Sequence, residues 1–134
     1  MNGHTMEKPR ILIVDDNQML TDMWRTMFER VGGYEIGTEN DGEAALETAR
    51  IFRPNLIFMD VCMPGRNRRE IVAELEADPV LKYTPVVFLT GLGREETAGH
   101  TVSGRHIVLT KPAGLLEILA CAERFFPKTI PKAA

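Results

Sequence analysis

Three short runs of the chain, at 11–14 (ILIV), 56–59 (LIFM) and 86–89 (VVFL), contain no polar residue and are rich in β-branched or aromatic side chains. That pattern predicts central strands of a parallel sheet, covered on both faces. Two weaker candidates, 34–38 and 106–109, are interrupted by polar residues, as suits strands nearer the sheet edges. Between the strands the apolar spacing becomes helical. Met19, Leu20, Met23, Trp24, Met27, Phe28 and Val31 form one stripe, ended by Gly32 and Gly33, and are read as core. Ala44, Ala45, Leu46 and Ala49 predict a second helix starting near Asp41 and Gly42, and Ile71, Val72 and Leu75 a third that stops before Asp78 and Pro79. Leu115, Leu116, Ile118, Leu119, Ala122, Phe125 and Phe126 predict the last helix, ended by Pro127. The unit at 91–104 is weak, with glycines at 91, 93, 99 and 104, so a helix there should be short or mobile. Five alternations of strand and helix imply an α/β fold: a parallel sheet with right-handed crossovers and helices on both faces.

Composition narrows the class without changing that picture. A chain of 134 residues has room for one domain, and 44% apolar with 26% charged residues is enough for a core and too apolar for disorder. The net charge of −3 argues against a polybasic nucleic-acid or membrane-surface protein. Apolar runs of about four residues fall far short of the roughly twenty needed to span a bilayer. The first ten residues carry no apolar secretory segment, so the expected compartment is the cytoplasm. Cys62 and Cys121 form no CxxC pair and read as isolated thiols, and His4, His100 and His106 lack metal-ligand spacing.

The chemistry gathers at the carboxyl ends of the strands, where open α/β sheets bind ligands. The first strand runs into Asp15 and Asp16, the third into Asp60, the fourth into Thr90 and the last into Lys111-Pro112. Each has an ordinary explanation as a helix cap, strand end or loop pair. Together they place three carboxylates, a hydroxyl and an ammonium on one sheet edge. Such carboxylates repel one another unless a cation neutralises them, and an all-oxygen set suits Mg²⁺. A carboxylate kept ionised beside the metal can act as a nucleophile toward phosphorus, with lysine pairing a phosphoryl oxygen.

At these residues the sequence resembles the receiver domain of bacterial two-component response regulators, over 10–126, with short tails at 1–9 and 127–134. The motifs ILIVDDN, GYEIGTENDGEAAL, NLIFMDVCMPG, VVFLTG and VLTKP stand in the order and spacing of that family. The resemblance implies a five-stranded parallel sheet in the flavodoxin-like order 2-1-3-4-5. It makes Asp60 the phosphoacceptor, with Asp15, Asp16, Asp60 and the backbone carbonyl of Cys62 holding Mg²⁺, Asp16 directly and Asp15 mainly through coordinated water. Lys111 would pair with the carboxylate and then the phosphoryl group, Thr90 would turn its hydroxyl onto a phosphoryl oxygen, and Cys62 and Leu92 would flank the path of water. The implied partners are a sensor histidine kinase or histidine phosphotransfer protein, and downstream a protein target or an effector domain removed from this chain. No direct contact with nucleic acid or membrane is implied. Such a module is no metabolic enzyme and catalyses only its own phosphotransfer and autodephosphorylation.

Two departures bear on output. Val108 stands where the family often has an aromatic residue, and Arg66, Asn67, Arg68 and Arg69 replace the usual Asp-Gly turn after MPG. Arginines near a helix start oppose its dipole, so they read either as a solvated run or as a phosphate-directed group. The rival readings are a phosphorylation-independent pseudo-receiver scaffold and an enzyme, either an aspartyl phosphatase or a nucleotide-binding domain, for which no GxGxxG or GKS loop appears. The complete acid and lysine set opposes the first. Val61 and Cys62, where such phosphatases carry a second acid, oppose the other.

Overall fold

The computed structural model describes residues 7–60, 68–90, 101–102, 106–110 and 115–127. In chain order the elements are β1 (Arg10–Val14), α1 (Gln18–Val31), β2 (Glu35–Glu39), a 3-10 turn (Gly42–Ala44), α2 (Ala45–Phe52), β3 (Leu56–Asp60), α3 (Arg68–Ala77), β4 (Val86–Thr90), β5 (Thr101–Val102), β6 (His106–Thr110) and α4 (Leu115–Phe125). The sheet order is β2-β1-β3-β4-β6-β5. Its first five members pair in parallel, which is the expected 2-1-3-4-5 arrangement with β6 as the fifth parallel strand. The two-residue β5 adds an antiparallel rung outside it, with Thr101 opposite Ile107 and Val102 opposite His106. Those two residues belong to the stretch read as a weak helix. The remainder of that stretch, 91–100 and 103–104, lies outside the described residues, as do both tails apart from 7–9 and Pro127.

Strand side chains alternate between two faces, and here both faces are filled. Leu12, Val14, Ile57, Met59, Val86 and Phe88 pack under α2 and α3 with Ala45, Ala49, Ile71 and Leu75. Ile11, Ile13, Leu56, Phe58, Val87 and Leu89 pack under α1 and α4 with Trp24, Phe28, Ile118 and Ala122. This double coverage is why positions 11–14, 56–59 and 86–89 of the three central strands carry no polar residue. Trp24 meets Phe58 edge-on at 6.5 Å, and Phe28 meets Tyr34 at 5.3 Å, which ties α1 to the sheet through aromatic contacts.

The stripe on α1 is narrower than its sequence suggests. Trp24 and Phe28 are buried, but Met19 is 78% exposed, Met23 48% and Val31 41%. Helical rotation of about 100° per residue turns Met23 about 100° and Met19 about 140° away from Trp24. Val31 is the last residue of the helix. Likewise Leu116 is 80% exposed while Ile118 and Ala122 face the sheet.

Local sequence fixes the helix ends. Asn17 caps α1 by accepting the Leu20 N–H at 3.1 Å, and Gly32 ends the helix at φ 81°, a conformation that suits glycine. Asp41 caps the turn before α2 by accepting the Glu43 N–H. At the other end of α2, Arg53 turns left-handed at φ 55°, and the Arg10 guanidinium donates to the carbonyls of Phe52 and Arg53. A cation there offsets the negative end of the helix dipole.

Candidate functional site

Register brings the acids together. Val14 of β1 lies opposite Met59 of β3, so the next residues, Asp15 and Asp60, emerge side by side at the carboxyl edge of the sheet. Both are buried, at 1% and 4% exposure, whereas Asp16 is exposed. Carboxylate oxygens of Asp15, Asp16 and Asp60 all lie within 4.8 Å of one another. Hard oxygen donors at that spacing fit a small divalent cation such as Mg²⁺.

The turn from β1 into α1 shapes this cluster. Asp15 Oδ1 accepts the Asn17 N–H at 2.9 Å, and the Asp15 N–H donates to the Glu39 carbonyl at 3.1 Å. Asn40 donates its side-chain amide to the Asp15 carbonyl at 2.7 Å and to Thr21 Oγ1 at 3.0 Å. Thr21 is fully buried and donates to the Gln18 carbonyl at 3.0 Å. Glu39 accepts the Asp41 N–H and the Thr48 hydroxyl, which anchors the loop after β2 to α2.

Of the residues expected to act here, Asp15, Asp16 and Asp60 are gathered as described. The backbone of Thr90 ends β4, one step beyond Leu89, which lies opposite Asp60. Thr90 in turn lies opposite Thr110, the residue before Lys111. Lys111, Cys62, Leu92 and Arg66 lie outside the described residues. Val108 has its backbone in β6, and Arg69 is exposed in the first turn of α3. Asn17, Thr21 and Asn40 were not singled out from the sequence. Asn17 had a legible signal, an asparagine directly before a helix, while Asn40 lies in an Asn-Asp-Gly string that reads as a turn.

Away from the cluster, a second polar junction joins α2 to the loop before β4. Asp78 is buried; it accepts the N–H groups of Val80 and Leu81 and pairs with the Arg50 guanidinium. Burial alone would raise its carboxyl, but Arg50 and those N–H donors hold it below the usual carboxylate range. Burial pushes the Cys121 thiol up, against a smaller opposing effect of Arg124.

Comparison with known proteins supports a specific kinship. The family described as "Response regulator receiver domain" matches residues 11–123. Response regulator PleD of Caulobacter vibrioides is 36% identical over 104 residues, covering 77% of this chain and 23% of PleD. The DNA-binding dual master transcriptional regulator RpaA of a Synechocystis species is 32% identical over 129 residues, covering 94% of this chain and 53% of RpaA. The chain thus spans under a quarter of one relative and about half of the other. Among solved structures, chemotaxis response regulator CheY4 of Vibrio cholerae superposes with a TM-score of 0.74 at 28% identity, covering 90% of this chain and 100% of that one. Among the described residues no helix is long and apolar enough to cross a membrane.

Proposed function

Because the chain belongs to the response regulator receiver family, we propose that it accepts a phosphoryl group on Asp60 from a phosphohistidine and thereby changes its binding to a partner. Receiver domains are signalling modules of two-component systems, and they bind Mg²⁺ at an aspartate cluster. The observation that carries the reading to this chain is the convergence of Asp15, Asp16 and Asp60 within 4.8 Å at the edge where β1 and β3 end. Asp15, Asp16, Asp60 and the Cys62 carbonyl would hold Mg²⁺. When bound, the ion supplies positive charge that offsets the negative charge of the transferred group.

In this mechanism the Asp60 carboxylate attacks phosphorus in line, the bond from phosphorus to the histidine nitrogen breaks, and an acyl phosphate forms. Lys111 pairs with the carboxylate and then with a phosphoryl oxygen, and Thr90 donates its hydroxyl to another. Hydrolysis later restores Asp60, with Cys62 and Leu92 shaping the approach of water. The donor is a sensor histidine kinase or a histidine phosphotransfer protein, and the output is altered affinity for a downstream protein or a linked effector domain.

Incubation with acetyl phosphate and Mg²⁺ should add one phosphoryl mass per chain, and Asp60→Asn or excess chelator should abolish it. A folded chain that stays unlabelled while still binding its partner would make it a pseudo-receiver scaffold and overturn the proposal.

A further inference from the structure

The loop after β2 meets its own needs without Asn40. Asp41 caps the following turn, and Glu39 receives the Asp41 N–H and the Thr48 hydroxyl. The amide of Asn40 instead reaches across to Asp15, just past β1, and to Thr21 of α1, 25 and 19 positions away in the chain.

What it does there follows from the parallel ladder. The Asp15 N–H donates to the Glu39 carbonyl, which closes the pairing of Val14 with Glu39, the last pair of the β1–β2 ladder. A ladder continuing in that register would send the Asp41 N–H to the Asp15 carbonyl. That N–H is turned onto Glu39 Oε2 instead, at 3.0 Å, and the Asn40 side chain takes its place on the Asp15 carbonyl. A side-chain amide thus completes the last rung of the sheet directly beneath the acidic cluster.

The carbonyl so held belongs to the peptide that joins Asp15 to Asp16, and a peptide is a rigid plane. Fixing its oxygen fixes the direction in which the chain departs toward Asp16. Asp15 has a second anchor, because its carboxylate accepts the Asn17 N–H. Asp16 is exposed, and no hydrogen bond to its carboxylate is found among the described residues. Among the described residues, then, its position is set by the backbone. The second Asn40 contact, to the buried Thr21 hydroxyl, makes the first turn of α1 the fixed end of this tie.

We propose that Asn40 is a positioning residue: its amide holds the Asp15–Asp16 peptide so that the Asp16 carboxylate faces Asp15 and Asp60, and so sets the affinity of the cluster for a divalent cation. This inference rests on the metal reading given above. Outer partners that orient metal ligands typically change metal affinity by about 10-fold or more when removed.

The test is calorimetric titration of the intact chain with Mg²⁺, with urea unfolding run in parallel. Asn40→Ala should raise the Mg²⁺ dissociation constant about tenfold. Asn40→Asp, nearly isosteric, removes the donor while adding a negative charge that by proximity alone would tighten the ion, and it should nevertheless weaken binding. Asp78→Asn, remote from the cluster, serves as the reference for stability loss and should leave the constant within twofold of the parent. Without metal, the backbone order parameter of the Asp16 amide should fall in both Asn40 variants. An unchanged constant in Asn40→Ala, an unchanged Asp16 order parameter, or equal weakening in Asp78→Asn would overturn the inference. If the parent binds Mg²⁺ and Asp16→Asn does not, such a failure belongs to the Asn40 inference alone. A parent that fails to bind would overturn the metal reading and this inference with it.

Discussion

Asp15 and Asp60 end adjacent parallel strands one residue past the paired Val14 and Met59, and both side chains are buried. Sheet register therefore presses two carboxylates together and the turn into α1 adds Asp16. Without a cation this arrangement opposes folding by like-charge repulsion. Removing one charge should raise the thermal midpoint of the metal-free chain, so Asp16→Asn is expected to melt a few degrees higher than the parent. Saturating Mg²⁺ should stabilise the parent by about 2.7 kcal/mol at 100 times its dissociation constant and do little for Asp16→Asn. Calorimetric melting with and without Mg²⁺ checks both, and a parent melting temperature indifferent to Mg²⁺ would contradict them.

Gly37, midway along β2, should resist enlargement. A Cβ there would stand 3.1 to 3.2 Å from ring carbons of Phe52, which lies across the strand from α2. Gly37→Val should cost about 1–3 kcal/mol through overpacking, read as a lower urea midpoint with unchanged slope. Pairing the change with Phe52→Leu should recover part of the loss.

The Arg50–Asp78 junction gives the fold an acid-sensitive element. The Asp78 carboxyl titrates below its unfolded value, so its contribution is present above the unfolded value near 4 and is lost as pH falls through the folded one. Asp78→Asn should lower the urea midpoint at pH 6 and flatten its decline below pH 4. A decline as steep as the parent's would assign the acid sensitivity to other carboxyls.

Cys121, on the inner face of α4, packs against the sheet, and burial pushes its thiol up. In a Cys62→Ser chain, iodoacetamide should react with the native protein far more slowly than with the urea-unfolded one, since thiolate and access are both lacking. Equal rates would mean that α4 opens readily.

Much of the fold was legible because burial on both faces leaves a plain mark: residues 11–14, 56–59 and 86–89 had to be apolar throughout. The acidic set was legible because strand ends point to one edge. Helix faces were less so. Met19 and Met23 share the apolar character of Trp24 and Phe28, and sequence alone does not say how wide a stripe the sheet can cover. Strand β5 leaves no mark in the sequence because two residues are too few for any periodicity. Asn40 was hidden for a different reason, as its role depends on where β1 and β2 stop pairing, a property of register and not of composition.

Phosphotransfer to this chain is defined by which carboxylate receives the phosphoryl group. Borohydride reduces an aspartyl acyl phosphate to homoserine, so the chain treated with acetyl phosphate and Mg²⁺, then reduced and digested, can be read by peptide mass. Homoserine at position 60, absent from Asp60→Asn and from samples with excess chelator, is the expected result. Homoserine at 15 or 16, or none anywhere in a folded and Mg²⁺-bound chain, would contradict it.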